Sequence, residues 1–120
     1  MTRIEIPVKL PSLNEYTSAC RSNSAIGATL KRRTQKEIAP FISELPKFTT
    51  PIFVHFHWVD GNNRRDYDNI AFAKKFILDC MVNLGKLNDD NRKCVIGFSD
   101  TFEVEKGVYK VVLEISEVAE

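Results

Sequence analysis

Ile52-Phe53-Val54-His55-Phe56-His57-Trp58-Val59 divides its side chains between two faces, with Ile52, Val54, Phe56 and Trp58 on one and Phe53, His55, His57 and Val59 on the other. A period of two, rich in β-branched and aromatic residues, predicts a strand. Asp60-Gly61-Asn62-Asn63 follows with no apolar residue to hold it in a core, so a loop is expected. A helix should then run from about Asn69 to Leu84. Gly85 closes it, at the place where a left-handed cap is favoured.

Working outward, Ile4, Ile6 and Val8 alternate with polar residues and read as a half-buried strand ending at Pro11. Residues 12–29 read as irregular. Leu30, Thr34, Ile38, Phe41, Ile42 and Leu45 recur at helical spacing, with a kink or a fresh start of the last part expected at Pro40 and a stop at Pro46. Asn88-Asp89-Asp90-Asn91 reads as a loop. Residues 94–104 and 108–115 read as two strands joined at Glu105-Lys106-Gly107 as a hairpin. The order strand, helix, strand, helix, strand, strand, without repeats or linkers, predicts one α+β (mixed α/β) domain over residues 1–120 with a C-terminal β-hairpin.

Composition narrows the function classes. A chain of 120 residues can bury a real core, yet is small enough to gain from oligomerisation. The 43% hydrophobic and 28% charged residues are ordinary for a globular protein and speak against disorder. No apolar run approaches the roughly 20 residues of a membrane span, and the N-terminus lacks a secretory pattern. No membrane partner and a cytoplasmic location are therefore expected. Cys20, Cys80 and Cys94 are odd in number and far apart, and no CxxC pair occurs, which speaks against a disulfide framework and structural zinc.

The net charge of +1 hides a clustering. Arg21, Lys31, Arg32, Arg33 and Lys36 form one group, Arg64, Arg65, Lys74 and Lys75 a second, and Lys86, Arg92 and Lys93 a third. Such groups suit a basic face that meets phosphates, or a solvated surface; clustering alone does not choose.

Asp66 and Asp68 carry the chemistry. In extended backbone, side chains two residues apart leave on the same side. Two adjacent carboxylates repel and need a cation or a shared proton. Hard oxygen ligands suit Mg²⁺, which takes one or two carboxylates and keeps water and phosphate as further ligands. The following helix start favours anions, and Arg64 and Arg65 would hold phosphates nearby. Asp90, or its neighbour Asp89, is the candidate third acid. It lies about two dozen Å along a straight helix from Asp68, so its loop would have to return. The competing reading makes Asp68 or Asn69 an ordinary N-cap and Asp89-Asp90-Asn91 an ordinary turn. A calcium loop counted from Asp66 fails, because Ile70, Ala71 and Ile77 stand where oxygen, Gly and Glu are required.

Arg64-Arg65-Asp66-Tyr67-Asp68-Asn69, with Lys75, Asp79, Gly85 and Leu87-Asn88-Asp89-Asp90 behind it, resembles the RusA family of Holliday-junction resolvases. The stretch Leu10-Pro11-Ser12-Leu13-Asn14-Glu15-Tyr16 and the C-terminal strands resemble phage and prophage members, so the likeness spans nearly the whole chain. It implies a homodimer with two Mg²⁺-dependent sites (Mn²⁺ substituting) that cut opposed strands of four-way or otherwise branched DNA. By position, Asp66, Asp68 and Asp90 match the family's metal-binding acids. The family's basic residue usually stands four residues past the second Asp, where this chain has Phe72. Lys75, ten residues before Gly85, matches it after a three-residue shift.

On a continuous helical wheel Lys75 returns to within about 20° of Asp68, whereas Lys74 falls at the edge of the apolar stripe. Lys75 is thus the candidate for stabilising charge on the scissile phosphate, or else an i,i+4 partner of Asp79. Lys74, Arg64, Arg65, Asn69, Asn14, Tyr16, Arg21 and Lys31 are candidate DNA contacts, with turn chemistry and packing as the rival reading for the N-terminal ones. Phe72 and Phe76 fall off the main stripe, which suggests a subunit contact or cover by the N-terminal segment. His55 and His57 share a strand face but have no third ligand at zinc spacing, so a satisfied or groove-facing role is preferred.

Overall fold

The structure, a computed structural model, describes residues 1–118. Its elements are β1 (Thr2–Ile6), α1 (Leu13–Ser22), α2 (Ser24–Ile42), β2 (Ile52–Asp60), α3 (Tyr67–Ala71), α4 (Lys74–Asn83), β3 (Val95–Val104) and β4 (Lys110–Glu117). The α+β class holds. The four strands form one mixed sheet in the order β1-β4-β2-β3, with β2 parallel to β3 and antiparallel to β4.

The alternation in β2 determines which face meets the helices. Ile52, Val54 and Phe56 have no accessible surface and Trp58 has 3%. They share one core with Leu113 and Ile115 of β4, Ile38 and Ile42 of α2, and Phe76, Ile77 and Met81 of α4. Truncating a side chain such as Phe56 to Ala would cost about 3–5 kcal/mol. His55 and His57 look out from the opposite face and are half-buried.

Four features depart from the sequence reading. Residues 12–29 are not irregular: they form α1 and the start of α2, with Ser12 and Asn23 as caps. Ser12 Oγ accepts from the Glu15 N–H (3.1 Å) while Glu15 Oε1 accepts from the Ser12 N–H (3.4 Å), a capping box that starts α1. Asn23 ends α1 and caps α2, its Oδ1 accepting from the Ala25 N–H at 2.7 Å. None of the residues of α1 is buried, so hydrophobic period could not reveal it. The two helices cross closely at Gly27, where a Cβ would stand 2.5 Å from Cys20 Sγ.

Second, α2 runs through Pro40 to Ile42 instead of restarting there. The missing Pro40 N–H removes a single i→i−4 bond, in the last turn of the helix. Third, the single helix expected over 69–84 is two. Ala73 N–H to Ile70 O (3.2 Å), Lys75 N–H to Phe72 O (3.0 Å) and Phe76 N–H to Ala73 O (3.0 Å) are i→i−3 bonds that tighten the chain between α3 and α4. The wheel relation between Asp68 and Lys75, which assumed one continuous helix, therefore does not apply. The expected cap at Gly85 is present: φ is +73°, and Gly85 N–H to Val82 O (3.0 Å) with Lys86 N–H to Met81 O (2.8 Å) forms a Schellman end.

Fourth, β3 and β4 do not form a hairpin, because β2 lies between them. A buried central strand needs backbone partners on both edges, and β2 obtains them from β3 and β4. The connection crosses the end of β2 and is stitched there by Glu105 N–H to Asp60 O at 2.9 Å. Among the described residues no helix is long and apolar enough to cross a membrane.

Candidate functional site

The parallel strands β2 and β3 end side by side, Asp60 opposite Val104. Crevices beyond the carboxyl ends of parallel strands are natural places for ligands. Here a cavity of about 390 Å³ is lined by Asp60, Asn62, Asn63, Arg65, Asp66, Tyr67, Ile70, Phe102, Glu103 and Val104. Its wall is fixed by a buried ion pair. Arg65 Nη2 donates to Asp60 Oδ1 (2.6 Å), Nε to Oδ2 (2.8 Å) and Nη1 to Leu10 O (2.9 Å), with Asp60 only 5% exposed. The hydrogen bonds to Asp60 raise the Arg65 pKa despite burial. Arg65, expected on phosphate, is instead the clamp joining β2 to the segment before α1. Arg64 beside it is exposed, and its N–H is fixed by Asn62 Oδ1 at 3.0 Å.

Asp66 is the N-cap of α3, in extended backbone, and makes no side-chain capping bond. Asp68 is already helical, so the same-side relation of an extended pair does not extend to it. Its Oδ1 accepts from the Asn69 N–H at 3.0 Å. Both carboxylates belong to exposed residues, and Asp66 borders the cavity. Asn69 Oδ1 accepts from the Asn14 N–H (3.2 Å), which ties α1 to α3 and occupies a group expected on DNA.

The loop after α4 comes back as far as Lys75, in the first turn of α4. Lys75 Nζ donates to Asp90 Oδ2 (3.3 Å) and reaches Asp79 Oδ1 (3.1 Å), while Lys31 Nζ reaches Asp79 Oδ2 (2.9 Å). Burial alone would push the Asp79 carboxyl up, but hydrogen bonds from Lys31 and Lys75 outweigh it and hold the pKa below its ordinary value. The hydrogen bond to Asp79 raises the Lys75 pKa most, burial opposes it, and the hydrogen bond to Asp90 adds to the rise. Asp89 shapes the turn instead, its Oδ1 accepting from the Asp90 N–H (2.7 Å) and its Oδ2 from Asn91 Nδ2 (3.2 Å).

Among the described residues no three His, Cys, Asp or Glu side chains are gathered as a metal-holding group. Asp66, Asp68 and Asp90 thus do not close a three-acid cage. The donor chemistry of Asp66 and Asp68 still fits Mg²⁺, which commonly takes one or two carboxylates and completes its shell with water and substrate phosphate.

Set against models of protein families and against curated proteins, the chain matches none.

Other expected contacts are engaged within the fold. Lys74 Nζ donates to Asp100 Oδ2 (2.7 Å) and lies 3.8 Å from the Phe98 ring centroid, so it is not free for phosphate. Trp58 Nε1 donates to the other Asp100 oxygen at 2.8 Å. Tyr16 packs on Phe72 (5.6 Å) and Phe76 (5.5 Å), so the N-terminal segment, not a second subunit, covers those rings. A hydrogen bond with Cys20, then burial, raises the Tyr16 pKa. Arg21 remains exposed in the last turn of α1. Across the open sheet face, His55 meets Ser99 and Thr101 (2.9 Å), and His57 meets Thr101 (2.6 Å) and Glu103 (2.9 Å).

Sequence reading missed Asp60, Tyr67, Asp100 and Glu103. An acid at the inward register of an apolar strand, as in Phe98-Asp100-Phe102, signals a buried partner. Nothing local marks Glu103, because the parallel register of β2 and β3 places it.

Proposed function

We propose that this chain is a Mg²⁺-dependent endonuclease that resolves Holliday junctions or related branched DNA, acting in the cytoplasm as a homodimer that makes paired cuts. The observation that carries the proposal is the 3.3 Å contact between Lys75 and Asp90. It joins the candidate cation to the candidate third acid, although fifteen residues separate them. Asp66 beside the cavity and exposed Arg64 near it in sequence would supply a carboxylate and a phosphate contact.

Asp66 and Asp68 would hold Mg²⁺, which when bound activates water and stabilises the leaving oxygen, with Asp90 engaged by Lys75. Arg64 would orient the backbone by its phosphate. Lys75 would offset charge developing on the scissile phosphate and, between Asp79 and Asp90, is kept protonated for that role. With Phe72 and Phe76 covered, the homodimer part rests on β3. Among the described residues its outer edge has no strand neighbour, and Ile96, Phe98 and Val104 are 51%, 51% and 58% exposed along it.

Two observations favour a second reading, a branched-DNA-binding protein with impaired catalysis: Lys75 occupies Asp90, and the three acids are not gathered. A fixed four-way junction incubated with the protein, with and without Mg²⁺, separates the two. Symmetric nicks that require Mg²⁺, absent on linear duplex, are expected for the nuclease. Salt-sensitive junction binding without product in Mg²⁺ or Mn²⁺ would establish the second.

A further inference from the structure

Tyr67 stands between the two aspartates, and the hydrolytic scheme does not use it. Its ring lies flat on Phe102, with centroids 4.2 Å apart and planes 11° apart. Even so, 67% of the residue's surface is accessible. Among the described residues Phe102 is the one ring against it, so most of the Tyr67 surface is left accessible for a further flat group. An aromatic ring held rigid yet left open wastes the burial that usually justifies it.

The pair borders the 390 Å³ cavity, within the size range of small-ligand pockets. Asn62 and Asn63 line the same cavity. Asn62 is locked in place, its Nδ2 donating to Tyr109 Oη (3.1 Å) and its Oδ1 accepting from the Arg64 N–H (3.0 Å). A flat π surface beside amide groups, with exposed Arg64 adjoining, is not what a phosphate or a lone metal ion requires. It is the chemistry that receives an unpaired nucleobase, stacked on its face and met by polar groups at its edge.

We infer that Tyr67, braced by Phe102, is the stacking platform for one unpaired nucleobase of the substrate, seated in the cavity beside Asp66. This rests on the branched-DNA reading. Moving a paired base into the cavity costs a few kcal/mol, least where a branch has already left the base single-stranded.

The test uses the full chain as wild type, Tyr67→Leu and Tyr67→Phe. Its probes are a short single strand carrying 2-aminopurine and a fixed four-way junction carrying it at the branch point. Stacking on Tyr67 should quench the 2-aminopurine emission of both probes in the wild type. Tyr67→Leu should lose the quenching and bind about tenfold more weakly, while Tyr67→Phe, which keeps the ring, should behave as wild type. A thermal melt checks that Tyr67→Leu is folded, and the wild-type quenching needs no variant. Failure of the wild type to quench, or equal binding by Tyr67→Leu, overturns the subsite even where the junction is cut. Tyr67-dependent quenching of the single strand, without preference for the junction, upholds the subsite and overturns the branched-DNA reading.

Discussion

Lys75 Nζ lies 3.3 Å from Asp90 Oδ2 and 3.1 Å from Asp79 Oδ1, so a single ammonium joins α4 to the loop that follows it. The Lys75 side chain is 57% exposed, and ion pairs of that kind contribute about 0–1 kcal/mol. Stability alone gives little reason for the arrangement. Lys75→Ala should therefore lower kcat on a four-way junction by about 10²- to 10³-fold, the loss typical of an electrostatic stabiliser. Its unfolding free energy in urea should change by less than about 1 kcal/mol. Loss of stability without loss of rate would make Lys75 a structural residue.

The Arg65–Asp60 pair should behave oppositely. Removing one partner of a buried pair strands the other, typically at about 3–5 kcal/mol. Arg65→Ala and Asp60→Ala should each show a loss of that order in denaturant melts. The double variant should lose less than the sum of the two, since no charge is left stranded. An Arg65→Ala protein of wild-type stability that lost only DNA affinity would return Arg65 to the phosphate-contact role.

Asp79 gives an acid-side signature. Its pKa is depressed in the fold, so its stabilisation is complete above the ordinary carboxylate value of about 3.9 and disappears as pH falls through the lower folded value. Asp79→Asn should flatten the stability–pH curve in the window below about pH 4 and meet the wild type at lower pH still. Parallel curves through that window would show that Lys31 and Lys75 do not stabilise the Asp79 anion.

What the sequence revealed follows from where its signals lie. The β2 alternation and the Gly85 cap are local and strong, and both are found as expected. The helix α1 was legible only through Ser12 and Glu15, a polar signature easily lost beside a search for apolar period. The β3–β4 connection looks like a hairpin because turn residues sit between two strands, but pairing is decided by competition for the edges of β2. At the site, residue identity marked Asp66, Asp68, Lys75 and Asp90 as candidates. It could not show that Arg65 and Lys74 are held by Asp60 and Asp100, since each acid belongs to a different strand.

The central claim is tested most directly by cutting and binding a fixed four-way junction in Mg²⁺ with wild type, Asp66→Asn and Asp68→Asn in parallel. Both aspartates are exposed, so neither amide should disturb the fold. Wild type is expected to nick opposed strands, and both variants to lose cutting while binding survives or tightens as phosphate repulsion is relieved. Mg²⁺-dependent cutting by Asp68→Asn at the wild-type rate would contradict the assignment.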